Sequence, residues 1–442
     1  MSRLRGRDMG RFFKSLLVAL LAAALTGAII LFAAIEGWGR TRLVPTGDTT
    51  QFASVVAARL DQDVRGNAAF ILVDGGRPVS EHFVSRGVPV NRDTQFQVAS
   101  LSKWVAAWGV MTLVEKGRID LDAPVSRYLT RWHLPEGEFD NDKVTIRRLL
   151  SHTAGLTDGL GYAGFPPGTP IQSLEDSLTK AADASPGAGG SVRVGMEPGS
   201  GFEYSGGGYS LLQLLVEEVS GKDFNDYMVQ TVFEPLGMTR STYVLDASAT
   251  NVADSFDTNG ASSVPLRFTS LAATSLYTSA ADMARLIAAH TEGAGGEPVG
   301  RGVLSAATLM AMRQPHASEL GADIWGLGVM LYAPNNAGDF VIGHDGDNEP
   351  AVNTAVRLDP TTGDGIVLLE TGNERLATQL AGEWVFWASG EVDFLTLTME
   401  FGTTLMWIAI GSGLVFVGAF FFAWRLERRR KPAQTRTSSP GR

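Results

Sequence analysis

Two long apolar runs, one near each end of the chain, limit the folds that it can adopt. Ser15 to Ile35 and Leu405 to Trp424 both lack charged residues. Each run has about the 20 residues that a helix needs to cross the hydrocarbon layer of a membrane. We therefore predict transmembrane helices at residues 15–36 and 405–424. The alternatives are a cleaved signal peptide for the first run and a buried core helix for the second.

Basic residues flank these runs on their outer sides. Residues 1–14 carry five Arg and Lys against one Asp, and residues 425–442 carry seven against one Glu. Positive charge is retained on the cytoplasmic side of a membrane. We therefore predict that both tails are cytoplasmic and that residues 37–393 form one domain on the extracytoplasmic (periplasmic or outer) face of the cell membrane. The span between the tails is acidic, which argues against nucleic-acid binding.

Strand patterns occur at both ends of the region between the runs. Residues 68–73 and 79–84 form a predicted hairpin, and the segments GLGVML, DFVIGH, NTAVRL and GIVLLE follow between residues 325 and 371. Several helices are expected between residues 145 and 290. Because an isolated hairpin is marginal in water, early and late strands must share a sheet. We predict an α+β fold, an antiparallel sheet flanked by helices with an all-helical region inserted.

One short motif carries the chemistry. Ser100-Leu101-Ser102-Lys103 places a hydroxyl and an amine three residues apart on a predicted helix from about residue 100 to 116, where such positions share a face. A serine hydroxyl needs an adjacent base to become a nucleophile. Lysine can be that base only when its pKa falls well below about 10.4, and burial lowers it. We predict Ser100 as the nucleophile and Lys103 as its base.

The same spacing recurs at Ser177-Leu178-Thr179-Lys180, which serves as an internal control. A bare S-x-x-K is a weak signal. The second match lies in a polar segment between Gly- and Pro-rich stretches, and no strand precedes it. We predict that this second match is a surface helix without a catalytic role.

The chain resembles the serine β-lactamase and penicillin-binding-protein-like hydrolases, in particular the class C β-lactamase and related esterase and D-peptidase branch. The resemblance covers about residues 50–390. It rests on ordered matches at VASLSK (98–103), LVEKGRIDLDAPVSRYL (113–129), TIRRLLSHTAGL (145–156), PGSGFEYSGGGYSLLQLLVEEVSG (198–221), FEPLGM (233–238), SAADMARL (279–286), WGLG (325–328) and GHDG (343–346).

The resemblance implies roles for further residues. Tyr204 matches the tyrosine of the family's Tyr-x-Asn motif, which shuttles protons, but Gly206 stands where the family has Asn. His344 and Gly346 match a third, substrate-binding motif, in which the histidine is a polar donor to the substrate or to the Tyr–Lys pair. The backbone N–H groups of Ser100 and Asp347 are expected to hold the oxyanion of an acyl-enzyme reaction.

The expected substrate is a small-molecule ester or amide, or a cell-wall peptide. Gly206, the missing third-motif Lys and the acidic residues Asp345, Asp347 and Glu349 argue against efficient hydrolysis of carboxylate-bearing β-lactams. The alternative is a non-catalytic or slowly acylated penicillin- or peptidoglycan-sensing domain. The scattered histidines predict no metal, and the lack of a Walker A or dinucleotide motif predicts no cofactor.

Overall fold

The computed structural model describes residues 2–159 and 161–429. They form two compact units, of which one is Arg42–Phe394 and the other combines the remaining residues at both ends. The predicted basic tail at 425–442 lies outside the described residues from position 430 onward, as does residue 1 of the N-terminal tail.

The strands are, in chain order, β1 (Ala68–Asp74), β2 (Arg77–Val84), β3 (Phe96–Gln97), β4 (Ser255–Phe256), β5 (Ser262–Ser263), β6 (Tyr277–Thr278), β7 (Ala317–Glu319), β8 (Ala322–Trp325), β9 (Met330–Pro334), β10 (Phe340–Asn348), β11 (Val352–Leu358) and β12 (Gly365–Thr371). The helices are α1 (Ser2–Ile35), α2 (Thr49–Asp63), α3 (Ser102–Glu115), α4 (Ile146–Leu150), α5 (Leu174–Lys180), α6 (Gly206–Ser220), α7 (Phe224–Met228), α8 (Glu234–Leu236), α9 (Leu271–Thr274), α10 (Ala280–Ala288), α11 (Ala306–Met312), α12 (Leu376–Ser389) and α13 (Phe394–Arg429).

Within the described chain, eight strands form one antiparallel sheet in the order β2-β1-β12-β11-β10-β9-β8-β7. The early hairpin joins the late strands where β1 pairs with β12, for example Phe70 opposite Leu368. This confirms the predicted fold class, in which N- and C-terminal strands share a sheet. The edge hairpin β7–β8 was not expected, because its strands are short and lack an alternating pattern.

Helix α3 lies at the centre of the domain. Twelve of its residues are buried, from Ser102 to Leu113. A helix that is apolar on all sides is stable only when other elements surround it. The α-helix begins at Ser102, two residues later than predicted, because Ala99–Leu101 form a tighter 3₁₀ turn. The two SxxK residues therefore lie across the junction of the 3₁₀ turn and the α-helix.

A buried charge network fastens strands β10 and β11 to the C-terminal end of the domain. The Arg357 guanidinium is fully buried and forms ion pairs with Asp345 and, at 2.9 Å, with Asp393. Its central carbon lies 3.4 Å from the ring centroid of Tyr332, whose hydroxyl donates to Asp345 at 2.7 Å. Arg357 compensates two carboxylates that would otherwise be costly to bury.

The second unit contains the two long apolar helices. The spans Met9–Ile35 and Phe394–Arg429 are long and apolar enough to cross a membrane, with mean hydropathies of 2.7 and 2.2. The hydroxyl of Ser412 donates to the Ala23 carbonyl at 3.0 Å, and a Cβ on Gly27 would lie 3.2 Å from the same hydroxyl. Small residues at Ala23 and Gly27 thus let the helices approach closely, a packing mode common in membranes.

We predict that Arg357→Met destabilises the protein by about 3–5 kcal/mol, because two buried carboxylates lose their cation. Chemical unfolding of the full chain in detergent measures this loss. The matched control is Arg313→Met, which breaks the less buried pair with Asp339 and should cost clearly less. An equal cost for the two variants would contradict this description of the network.

Candidate active site

Ser100 and Lys103 lie side by side at the start of the central helix. The Lys103 ammonium nitrogen is 3.1 Å from the Ser100 hydroxyl and donates to the Ala273 carbonyl at 2.8 Å. Ser100 is partly exposed, whereas Lys103 is only 1% exposed. The pair thus combines a hydroxyl that substrate can reach with an amine that is shielded from water.

Burial determines the protonation state of Lys103. It lowers the pKa of this lysine from 10.5 to about 7, against the opposing field of the Asp158 carboxylate. The shift arises because removing water disfavours the ammonium more than the neutral amine. Near neutral pH a large fraction of Lys103 is therefore a neutral amine, which is the form that can accept a proton.

Tyr204 completes a three-residue cluster. Its phenol is close enough to the Ser100 hydroxyl to interact with it, and the Lys103 nitrogen lies 4.8 Å from its ring centroid. Burial raises the pKa of the phenol above its ordinary value, so the phenol remains protonated at neutral pH. The structure therefore brings together the predicted residues Ser100, Lys103 and Tyr204, with an amine and a phenol both next to the hydroxyl.

The turn that carries Ser100 is held under strain. Ala99 has a φ of 47°, a left-handed conformation that is costly for a residue with a Cβ. The Ser102 hydroxyl donates to the Ala99 carbonyl and accepts from the Leu276 N–H at 2.9 Å. These two bonds fix the backbone around Ser100.

Strand β10 packs directly against this turn. A Cβ on Gly346 would lie 2.0 Å from the Val98 carbonyl oxygen, so only glycine fits there. Thr354 on β11 donates to the same carbonyl at 3.0 Å. Asp347 follows Gly346 in the strand, opposite Asn353. The predicted third-motif residues are thus adjacent to the turn that bears Ser100.

His344 differs from the donor that the sequence led us to expect. Its Nδ1 lies 2.6 Å from the Asp345 carbonyl, which can only accept, so Nδ1 carries the proton. Burial lowers the pKa of the ring to about 3, and the buried Nε2 has no hydrogen-bond partner among the described residues. Nε2 therefore presents a lone pair, and His344 is a neutral acceptor. This corrects the expected donor role, because sequence does not reveal the tautomer.

Asp345 does not contribute to the negative site edge that we expected. Side chains alternate along a strand, and Asp345 is bonded to Arg357, Tyr332 and Thr378 behind the sheet. Asp347 lies at the surface near Glu374 and Arg375, and partial loss of water around its carboxylate raises its pKa to about 6. The charge of Asp345 is compensated away from Ser100. The prediction that Asp345 makes the edge of the site negative is therefore wrong.

Several residues around the cluster were missed by sequence reasoning. The His152 ring lies 4.3 Å from the Tyr204 ring, and its Nδ1 accepts from the Ser205 N–H at 3.1 Å. The Asp158 carboxylate accepts from the Ser205 hydroxyl and, at 2.6 Å, from the Gly207 N–H. The SHTAGL match at residues 151–156 is the sequence signal that could have pointed to His152, while Asp158 lies in no quoted motif.

The second S-x-x-K match lacks the first one's surroundings. It lies on α5, where the Ser177 side chain is buried and Lys180 is exposed. The Lys180 side chain is in contact with water, whereas that of Lys103 is shielded from it. The spacing is therefore identical at both matches, and burial of the lysine is what differs.

The antiparallel sheet with its inserted helices and the SxxK turn at its centre define a class, the serine β-lactamase/transpeptidase-like fold. A family model described as Beta-lactamase matches residues 52–384. The chain therefore belongs to the beta-lactamase family, which confirms the resemblance read from the sequence.

Similar proteins include both penicillin-binding proteins and esterases. The chain is 30% identical over 334 residues to penicillin-binding protein 4 of Amycolatopsis lactamdurans, covering 72% of this chain and 83% of that protein. It is 32% identical over 168 residues to esterase EstB of Burkholderia gladioli, covering 36% and 41%. The octameric penicillin-binding protein homologue from Pyrococcus abyssi shares the fold at a TM-score of 0.60, with 23% identity and 76% of each chain covered.

We predict that Lys103→Met stabilises the folded protein at pH 7. Because the folded-state pKa is depressed, the unfolded chain binds more protons between about pH 7 and 10.5. Burial of the ionisable Lys103 amine therefore costs about 4 kcal/mol of folding stability at pH 7. Lys103→Met removes this cost but also removes two hydrogen bonds, so the net gain in stability is about 2 kcal/mol.

Unfolding of the full chain at pH 7 and pH 10 measures the effect, and the gain should shrink at the higher pH. Lys116→Met, at the exposed end of the same helix, is the control and should change stability little. A Lys103→Met variant that is less stable than the parent at pH 7 would contradict the prediction.

Proposed function

We propose that this protein is a membrane-anchored serine hydrolase that acts through an acyl-enzyme on ester, amide or D-amino-acid peptide bonds. The observation that carries the proposal is the position of the Ser100 hydroxyl, which lies 3.1 Å from the buried Lys103 amine and next to the Tyr204 phenol. Membership of the beta-lactamase family, with an esterase among the relatives, supports the same chemistry.

In the first half of the reaction, Lys103 removes the Ser100 proton while the serine oxygen attacks the substrate carbonyl carbon. The backbone N–H groups of Ser100 and Asp347 stabilise the negative oxygen of the tetrahedral intermediate. The intermediate collapses to an acyl-enzyme when the leaving group takes a proton from Tyr204. Tyr204 then recovers a proton from the Lys103 ammonium.

In the second half, water attacks the acyl-enzyme carbonyl carbon. Tyr204 accepts the water proton while it passes its own proton to Lys103, and one proton returns along the same path to the Ser100 oxygen as the acyl group leaves as an acid. Lys103 suits this exchange, because its pKa of about 7 places its two forms close in free energy at neutral pH.

We propose that neutral acyl groups are preferred over those with a carboxylate. Carboxylate binding relies on charged donors such as Lys or Arg, whereas His344 is neutral and presents a lone pair. Gly206 also offers no side chain where the family has Asn. The charge of Asp345 does not contribute to this preference, because Arg357 compensates it.

The two apolar helices support the proposed anchoring. We propose that residues 15–36 and 405–424 cross the cell membrane, with both basic tails cytoplasmic and the catalytic domain at residues 37–393 on the extracytoplasmic side. In this arrangement the enzyme acts on substrates outside the cytoplasm, such as cell-wall peptides or small esters.

A sensor that binds penicillin or peptidoglycan without turnover is the second candidate, favoured by Gly206. A fluorescent penicillin and a fluorophosphonate separate the two. Label at Ser100 with turnover of an ester indicates an enzyme, whereas trapped label without release indicates a sensor.

We expect fluorophosphonate to label the wild-type chain and Ser177→Ala equally, and not to label Ser100→Ala. Ester turnover should fall at least about a thousandfold in Ser100→Ala, because the nucleophile is lost. Mass spectrometry of the labelled peptide and p-nitrophenyl ester assays measure both effects. Undiminished turnover by Ser100→Ala would refute the assignment.

We also predict that p-nitrophenyl butyrate is a better substrate than the p-nitrophenyl monoester of succinate. The two esters share a leaving group and chain length, and differ by one carboxylate. A ratio of kcat/KM of about tenfold, or ~1.4 kcal/mol, is expected at pH 8. Equal values for the pair, or turnover of benzylpenicillin as fast as of butyrate, would count against it.

A further inference from the structure

The position of the Lys103 amine depends on one backbone carbonyl. Ala273, which accepts from the amine at 2.8 Å, lies on the four-residue helix α9. A helix of one turn has little stability of its own. Side chains from neighbouring elements must therefore hold α9 in place.

Three buried hydroxyl groups form a hydrogen-bonded relay that leads to α9. The Tyr162 hydroxyl lies 2.9 Å from the Ser210 hydroxyl on α6. Ser210 is hydrogen-bonded in turn to Ser270, which occupies the N-cap position of α9. Ser210 and Ser270 are at most 1% exposed. Removal of the phenol hydroxyl therefore takes one buried partner from Ser210, which keeps Ser270 and a 3.3 Å bond to the Gly206 carbonyl.

The Tyr162 ring is itself held against Gly206. A Cβ on Gly206 would lie 2.9 Å from the ring edge and 3.5 Å from the Gly161 backbone. By contrast, a Cβ on Gly208, one half-turn further along α6, would make ordinary contacts at 3.4 Å or more. The glycine at 206 thus provides the space that the tyrosine ring occupies.

We propose that Tyr162 is a positioning residue for Lys103, which acts through Ser210, Ser270 and the Ala273 carbonyl. The inference rests on the proposed function, in which Lys103 is the base. It assigns a role to the tyrosine and explains the glycine in the Tyr204-Ser205-Gly206 motif, because a side chain at position 206 would displace the ring that orients the base.

Tyr162→Phe tests the relay, since it removes the hydroxyl and keeps the ring. Without the phenol hydroxyl, Ser210 and Ser270 hold α9 less firmly. The Lys103 amine is then misplaced, and water gains access to it. We expect kcat for p-nitrophenyl butyrate at pH 7 to fall about tenfold with little change in KM. The acid limb of the pH profile should move to higher pH, because renewed solvation favours the ammonium.

The groups that surround the amine and contribute to that limb come from several elements. They are Asp158 and His152 in the loops after α4, Tyr204 before α6, Tyr209 on α6 and His344 on β10. Tyr162→Phe leaves each of these groups in the chain, so a shift of the limb reports on the amine's surroundings.

Tyr227→Phe is the matched control. Its hydroxyl is also buried and lies 2.6 Å from a hydroxyl, that of Thr112 on α3. The loss of one buried hydroxyl bond is therefore the same, and a similar cost in stability is expected. Tyr227→Phe should leave the pH profile unchanged. If both variants lose stability but neither moves the limb, Tyr162 is merely structural and the proposal fails.

A second pair of variants tests the glycine. Gly206→Ala should reproduce the pH shift of Tyr162→Phe, whereas Gly208→Ala should not. The titration of Lys103 is also followed directly through the NMR signal of its ε-carbon in the full chain in detergent. This readout needs no turnover, so it decides the proposal even if the wild-type chain proves inactive. An unchanged titration midpoint in Tyr162→Phe and Gly206→Ala would overturn it.

Discussion

The removal of water from the Lys103 amine is the physical constraint on which the proposed chemistry depends. Helix α3 lies at the centre of the domain, so its first turn is covered by other elements and the amine is almost fully buried. The same turn exposes part of Ser100. Excluding water from a lysine next to an accessible hydroxyl lowers the folding stability of the protein and provides a neutral amine that can act as a base.

The rest of the domain holds that arrangement in place. The strained Ala99, the close contact of Gly346 with Val98 and the hydroxyl of Ser102 fix the nucleophile turn. Behind the sheet, Arg357 fastens the strand that contains His344. The strained backbone conformation of the turn persists because several packed neighbours fix it in place.

The sequence predicted the sheet, the inserted helices and the meeting of Ser100, Lys103 and Tyr204, because these follow from hydrophobic pattern and from motifs. It could not predict the state of His344, since a tautomer depends on which backbone carbonyl the ring meets. It misplaced the charge of Asp345, because the partner Arg357 lies 12 residues away on the neighbouring strand β11 and their pairing depends on the strand register. The hydrogen bond from Lys103 to the Ala273 carbonyl could not be predicted, because a backbone carbonyl is present at every residue and leaves no signal in the sequence.

The central claim is that Ser100 is activated by a neutral Lys103 amine. The rate constant for acylation of Ser100 by a fluorophosphonate, measured between about pH 5 and about 11.5, tests this activation. The range includes both the ordinary lysine pKa of about 10.4 and the lowered one. We expect the rate to rise with a midpoint at a pH of about 7, the pKa of the buried lysine. A rate that rises only near the ordinary lysine value of 10.5 would contradict it.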